Sequence, residues 1–176
     1  MKRFKEILES KQPYVVLLIG TPLSGKSTLL SKHFNDEKYT LISRDDILME
    51  TADTLDYNEA WHIISSKEDG QSSVDKKLKY RLMEVSKKGE NVIIDMTNLT
   101  FKGRRKHLAK FPKYFKCAIV FDFLTNEEYI KRNQSREIKE NKHIGMDVIE
   151  RMKDSYEEIT DEEGFDLVIR VKDLKT

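Results

Sequence analysis

Residues 14–27 read Tyr14-Val15-Val16-Leu17-Leu18-Ile19-Gly20-Thr21-Pro22-Leu23-Ser24-Gly25-Lys26-Ser27, and this stretch decides the architecture. An unbroken apolar run is what a strand covered on both faces requires, because both of its side-chain rows must avoid water. The residues after it, Gly20 to Ser27, match G-x-x-x-x-G-K-[ST], and Leu29, Leu30 and Phe34 then mark a helix. Strand, glycine loop and helix in this order build an anion-binding turn. The glycines let backbone N–H groups face inward, and the helix adds its positive end. Lys26 is expected on the outer phosphates of a nucleoside triphosphate and the Ser27 hydroxyl on its magnesium ion. Gly20, Thr21, Ser24, Gly25 and Thr28 complete the nucleotide-binding set.

Outward from this stretch, short apolar runs alternate with amphipathic segments. Strands are predicted at Tyr39 to Ile42, Val92 to Asp95, Cys117 to Phe123 and Leu167 to Val171. Helices are predicted over Met1 to Lys11, Asp46 to Thr51, Tyr57 to Ser65, Lys102 to Lys110, Asn126 to Glu140 and Met146 to Ile159. A long polar helix carries Val74, Leu78, Leu82 and Val85 and stops at Gly89. Such alternation predicts a three-layer α/β sandwich on a mainly parallel five-stranded sheet, formed as one domain over residues 1–176.

Composition bounds the rest. The 176 residues are 36% Asp, Glu, Lys or Arg with a net charge of +1, which argues against binding nucleic acid by bulk electrostatics and leaves local basic faces open. Seven Gly and three Pro without low-complexity tracts exclude a fibrous or disordered chain. The longest apolar run is too short to span a bilayer, so no membrane association is expected. A lone Cys117 rules out a disulfide framework and a multi-cysteine zinc site, and the four His show no metal-ligand spacing. A cytoplasmic protein is expected (the host cytoplasm for a phage-encoded chain).

The fate of the γ-phosphate is narrowed by two absences. The only Asn-Lys, Asn141-Lys142, is followed by His143-Ile144, so the guanine-reading Asn-Lys-x-Asp is missing. The acidic strand ends in Asp95-Met96 and lacks the Asp-Glu of an ATP-driven motor. Transfer to an acceptor remains. Ser43-Arg44-Asp45-Asp46 follows the second strand, where ligands of open parallel sheets collect. Asp45 is placed to accept a hydroxyl proton; alternatively, Ser43 or Asp45 caps the next helix. Arg132 and Arg136, four apart on one helix face, suit a transferring phosphoryl group or a solvated surface.

Taken together, these features resemble the P-loop kinase family that contains the 5′-kinase domain of phage polynucleotide kinase-phosphatase. The shared marks are Gly20 to Ser27, Arg44-Asp45-Asp46, Asp95-Met96-Thr97-Asn98-Leu99, Arg104-Arg105 and Lys131-Arg132-Asn133-Gln134-Ser135-Arg136. Met146 to Met152 and Glu162-Glu163-Gly164-Phe165-Asp166 also look like this family. The resemblance implies Asp45 as general base, Arg136 as the lid arginine over the donor phosphates with Arg132 beside it, and a lid spanning about 131–145. It places Asp95 near the metal, through water, and Arg44, Thr97, Asn98, Arg104 and Arg105 on the acceptor side. ATP and Mg²⁺ are the implied cofactors, and DNA or RNA the implied partner. Leu48 departs from the family arginine that holds the acceptor's phosphate. A hydroxymethylated DNA base or a small-molecule hydroxyl is therefore a second acceptor class. A non-catalytic nucleotide-binding module is a third reading from another class. No Asp-x-Asp-Gly-Thr signature is present, so 3′-phosphatase activity is not expected.

Between Lys102 and Lys116 the chain carries seven Lys or Arg and no acid, interleaved with His107, Phe111, Tyr114 and Phe115. Such a mixture is what single-stranded nucleic acid needs, although Leu108, Phe111 and Phe115 also fit the core side of a helix. Tyr57 and Trp61, at helical spacing, are expected to pack in the core.

Overall fold

The central strand β1 (Tyr14–Ile19) is buried along its whole length. In the computed structural model, which describes residues 9, 12–34, 38–140 and 142–174, it pairs in parallel with β3 (Val92–Asp95) on one side and β4 (Phe115–Val120) on the other. β2 (Thr40–Ser43) lies outside β3 and β5 (Leu167–Arg170) outside β4, giving an all-parallel sheet of order β2-β3-β1-β4-β5. The helix expected over Met1 to Lys11 falls outside the described residues.

The seven α-helices of the described residues are α1 (Lys26–His33), α2 (Arg44–Ala52), α3 (Tyr57–Ser66), α4 (Gly70–Lys88), α5 (Phe101–Leu108), α6 (Asn126–Glu140) and α7 (Met146–Asp154). None is long and apolar enough to cross a membrane.

Strand alternation sorts β1 between two cores. Val15, Leu17 and Ile19 face one, with Ile47, Leu48, Ala60, Ile64, Leu78, Leu82 and Leu108 from α2 to α5. Tyr14, Val16 and Leu18 face the other, with Leu29 and Leu30 of α1, Phe34 and Ile119. This is the three-layer sandwich read from the sequence.

Two boundaries and the burial of one aromatic differ most from the sequence reading. β4 covers Phe115–Val120 rather than Cys117 to Phe123, because Val120 pairs with Ile19 and β1 turns into the glycine loop beyond it. α7 ends at Asp154 rather than Ile159. The Glu157 N–H is captured by the Leu99 carbonyl at 2.9 Å, and the Glu157 carboxylate accepts from the Phe101 N–H, so this segment leaves the helix to cap α5. Trp61 is exposed instead of packed, while Ala60 and Ile64 supply the buried face of α3.

The sheet order positions the site. The connection after β1 runs past β3 to β2, whereas the connection after β3 runs the other way across β1 to β4, so the two diverge in a reversal beside the carboxyl ends of β1 and β3. Ligands of doubly wound sheets bind at such a reversal.

Candidate active site

At this reversal the loop after β1 curls into a closed turn. A Cβ added at Gly20 would lie 2.9 Å from Phe121 Cβ and 3.1 Å from Ser24 Oγ, so no larger residue fits. Gly25 precedes α1 with φ 99°, a left-handed conformation that L side chains rarely adopt, and Leu23 is also left-handed at φ 66°. Lys26 Nζ donates to the carbonyls of Gly20 at 3.1 Å and Thr21 at 2.9 Å. Its ammonium is thus held over the loop by its own backbone. Ser24 Oγ is buried without a hydrogen-bond partner among the described residues. A buried hydroxyl is costly to leave unmade, so a loop carrying one suits a polar ligand. Ser27 and Thr28 are exposed on the first turn of α1.

Thr21 has a different role from the one expected. Its side chain is buried and shares a 2.6 Å hydrogen bond with the Tyr129 hydroxyl on α6, which also accepts the Leu124 N–H at 3.3 Å. The Thr21 hydroxyl therefore roots α6 to the loop, and only its carbonyl serves Lys26.

Three carboxylates gather at the strand ends. Ser43 of β2 is in register with Asp95 of β3, which places the start of α2 beside Asp95. Burial lowers the Lys26 ammonium from its ordinary value, while Asp95 and Asp45 raise it and Arg136 lowers it further. Burial likewise raises the Asp95 carboxyl, opposed by Lys26 and reinforced by Asp45 and Asp46. Lys26, the three acids and Arg136 thus lie close enough to act on one another. The capping alternative for Asp45 also resolves. Ser43 accepts the Asp46 N–H at 3.4 Å and is the N-cap of α2, leaving the exposed Asp45 carboxylate free of that duty.

Helix α6 begins with a reciprocal cap, Thr125 N–H to Glu128 and Glu128 N–H to Thr125 Oγ1. It carries Arg132 to the glycine loop, where Nη1 donates to the Leu23 carbonyl at 2.8 Å. Arg136, half-buried, pairs with Glu140 at 3.1 Å while its charge reaches Lys26. Buried Asn133 binds both backbone groups of Ile144, donating to its carbonyl at 2.7 Å and accepting its N–H at 3.2 Å. This bridge ties Ile144 back to α6, a function the sequence reading missed.

Two expected acceptor contacts are corrected. Arg104 is fully buried in a two-pronged ion pair with Glu163, at 2.6 and 2.7 Å, and also donates to the Asn98, Leu99 and Glu158 carbonyls. A guanidinium so saturated has no donor left for substrate. Asn98 is buried at φ 48°, with Nδ2 on the Leu18 carbonyl at 2.8 Å and Oδ1 3.2 Å from His107 Nδ1. It joins the ends of β1 and β3, and the adjacent Thr97 carbonyl accepts the Gly20 N–H at 3.0 Å. These residues shape the phosphate loop from beneath. Burial presses His107 down to about 4, aided by Lys110 and Lys106, so it packs here as neutral imidazole.

The aromatics of the basic stretch are also spent. Phe111 and Tyr114 are buried with ring centroids 5.0 Å apart, and Arg105 is left exposed over the Phe101 ring. Arg44 is held by Gln71 at 2.8 Å and Asp75 at 3.2 Å. Tyr57 packs half-buried against the core, as expected, and burial raises its phenol, reinforced by Asp45 and opposed by Arg136 and Arg44. A tyrosine opening a helix one loop after Asp45 was the only sequence signal of that proximity.

Comparison with known proteins agrees with this geometry. Residues 15–159 match the AAA domain family. No curated protein matches the chain. Among solved structures, the Pnkp1/Rnl/Hen1 RNA repair complex superposes with TM-score 0.65 at 24% identity, over 84% of this chain and 45% of that one. A second Pnkp1/Rnl/Hen1 complex gives TM-score 0.53 at 26% identity, over 69% and 39%. A provisionally assigned kinase from Chloroflexus aurantiacus gives 0.60 at 16%, over 92% and 86%. The chain thus spans less than half the length of the two repair proteins. With its phosphate loop at a sheet of order β2-β3-β1-β4-β5 and its match across most of the sequence, the chain belongs to the AAA domain family and has a P-loop kinase-like fold.

Proposed function

We propose that the protein is an ATP-dependent kinase transferring the γ-phosphate to a hydroxyl of a nucleic acid, foremost the 5′-OH of DNA or RNA. One observation carries this reading: Lys26 is acted on by both Asp45, an acid released from capping, and Arg136, a lid cation. Binding a nucleotide alone requires neither of the last two. The Pnkp1/Rnl/Hen1 RNA repair complex, as a structural neighbour, directs the choice of a nucleic acid acceptor.

In the proposed reaction the acceptor oxygen attacks the γ-phosphorus as the bond from phosphorus to the β-bridging oxygen breaks. ADP departs, and the acceptor proton passes to Asp45. Lys26 and Arg136 offset the charge that develops on the phosphoryl oxygens, and Arg132 with the Gly20 to Ser27 loop holds the donor. Thr97 and the exposed Arg105 remain the acceptor-side candidates, with Arg44 orienting the start of α2.

Among the described residues no group of three or more His, Cys, Asp or Glu forms a metal cage. The Ser27 hydroxyl on the first turn of α1 and the Asp95 carboxyl at the end of β3 are hard oxygen donors, the kind Mg²⁺ takes alongside substrate phosphates. Ser27 would bind it directly and Asp95 through water, and the ion would supply charge neutralisation at the phosphates.

The test is transfer of labelled γ-phosphate to 5′-OH oligonucleotides. Asp45→Asn should lower turnover by roughly 10²–10⁴-fold, the usual contribution of a positioned base, with ATP affinity unchanged. Undiminished turnover in that variant removes Asp45 from the mechanism.

A second acceptor class is favoured by one residue. Leu48 is buried in the core among α2 to α4, so its position offers no cation to an acceptor phosphate. Hydroxymethylated DNA and free nucleosides therefore belong in the same assay. Exclusive turnover of either would replace the 5′ end as acceptor.

A further inference from the structure

The basic stretch that begins at Lys102 holds cations the fold does not consume. Arg104 turns inward to Glu163, but Lys102 and Lys106 are exposed and Lys110 is half-buried. These three lysines recur every four residues, so they share one face of α5 and its exit. α5 leaves from the carboxyl end of β3, and its exit leads to the amino end of β4, where the Phe115 N–H meets the Pro13 carbonyl at 2.9 Å. The row therefore descends the outer flank of the sandwich, away from the glycine loop and toward the opposite end of the sheet.

α4 closes on the lower half of this row. The Ser86 hydroxyl donates to the Lys110 carbonyl at 2.5 Å, and the Tyr114 hydroxyl donates to the Val85 carbonyl at 3.2 Å. Lys110 Nζ in turn donates to the Lys106 carbonyl. Burial lowers the Lys110 ammonium from its ordinary value, and Lys106 and Lys79 of α4 lower it further, so three cations crowd one face. Tyr80, next to Lys79, is 63% exposed.

Charge on α4 is divided by face. Lys77 and Arg81 pair with Glu50 at 3.0 and 3.1 Å, and Glu84 lies on their stripe. Among the described residues, no carboxylate pairs with Lys79, Lys102, Lys106 or Lys110. Like charges four apart on a helix are unfavourable by themselves, and a polyanion laid along them removes that cost. A row of cations follows a phosphate backbone, and an exposed aromatic beside it offers a base a stacking face.

We infer that Lys79, Lys102, Lys106 and Lys110, with Tyr80, form a rail on the outer flank that holds a single nucleic acid strand well beyond its reacting end. The inference rests on the kinase reading for the identity of the polyanion and deepens it. Short acceptors stop within the cleft, whereas long ones gain the rail.

The test is equilibrium binding of a tetranucleotide and a dodecanucleotide to the full chain, each single-stranded with a free 5′-OH and a 3′ fluorophore, read by anisotropy. The longer strand should bind roughly ten-fold tighter or more at low salt. Combining Lys79→Gln, Lys106→Gln and Lys110→Gln should erase that gain and leave the tetranucleotide and ATP affinities unchanged. The slope of log affinity against log salt should fall by about two, at about 0.7 per phosphate for three lysines. The matching Lys→Arg set should keep the gain, and Tyr80→Ala should lose several-fold where Tyr80→Phe does not. Lys79→Gln with Lys106→Gln, both exposed and unpaired, repeats the comparison without removing the Lys110 contact to α5.

The rail is overturned by equal affinity for the two lengths, or by a gain that survives the triple variant. An equal loss in Lys77→Gln with Arg81→Gln also overturns it, since bulk charge would then suffice. Poly-glutamate or phosphatidylserine vesicles bound as tightly as the dodecanucleotide, with the same loss in the triple variant, overturn nucleic acid as the occupant. Phosphate transfer to both oligonucleotides, assayed in parallel, separates the two claims. A length gain without transfer upholds the rail and breaks the kinase reading, whereas transfer without a length gain does the reverse.

Discussion

Two basic segments that look alike in the sequence have opposite fates. The segment of α5 and its exit turns inward: Arg104 is buried on Glu163, His107 on Asn98, and Phe111 on Tyr114. The segment of α6 turns toward the site, with Arg132 on the glycine loop and Arg136 acting on Lys26. The difference lies in the partners, not in the charges. Glu163 returns from a distant 3-10 turn, Asp161–Glu163, to neutralise α5. The acids available to α6 are local and exposed, such as Glu140. Positive charge near an active site marks function only where no buried acid has claimed it.

The largest effect expected from this contrast is Glu163→Gln. Removing one partner strands a buried guanidinium, and breaking such a pair costs about 3–5 kcal/mol, to be read from urea denaturation. Arg104→Met should be similarly destabilising, and the pair Arg104→Met with Glu163→Leu less so than either alone. A loss under about 1 kcal/mol for both single variants would break the structural half of the comparison.

Next comes Arg136→Ala, expected to reduce phosphate transfer by roughly 10²–10³-fold, the range for removing one stabilising donor. Its melting temperature should stay close to that of the wild type, since the Arg136–Glu140 pair is a partly exposed helical one. A large stability loss without a turnover effect would make α6 the same kind of region as α5.

A pH dependence sharpens the contrast further. The folded His107 is depressed to about 4 from an ordinary 6.5, so the unfolded chain takes up that proton first as pH falls. The stability His107 contributes is complete above about pH 6.5 and is lost as pH drops toward 4. Denaturation midpoints from pH 7 to 4 should therefore fall more steeply in the wild type than in His107→Gln. Parallel profiles would place the acid sensitivity elsewhere.

The smallest effect belongs to Arg105→Ala. As an exposed side chain it should change stability by less than about 0.5 kcal/mol. If it meets an acceptor phosphate, the slope of log affinity against log salt for an oligonucleotide should fall by about one. An unchanged slope would remove Arg105 from the acceptor side.

Part of the site was legible because its determinants are contiguous. Gly20 to Ser27 spells out its own geometry: steric closure at Gly20, positive φ at Gly25, and a lysine within reach of its own loop. Asp45 was legible as a candidate from its place after a strand. Its release from capping was not, since Ser43 and Asp45 are equally good caps on paper and only the Asp46 N–H direction chooses between them. Arg104 and Asn98 were misplaced on the acceptor side because their partners, Glu163 and the Leu18 carbonyl, are remote in sequence. The roles of Asn133 and Tyr129 rest on pairs of hydrogen bonds, to Ile144 and to Thr21 and Leu124, that no periodicity reveals.

The sequence by itself determined the layer architecture and the phosphate loop. Hydrophobic runs report burial on two faces, and loop geometry follows from residues adjacent in the chain. Only the tertiary structure decided which polar groups are spent in holding the fold and which remain for a ligand. A buried charge must find a partner wherever the chain supplies one, and at Arg104 that partner arrives from 59 residues away.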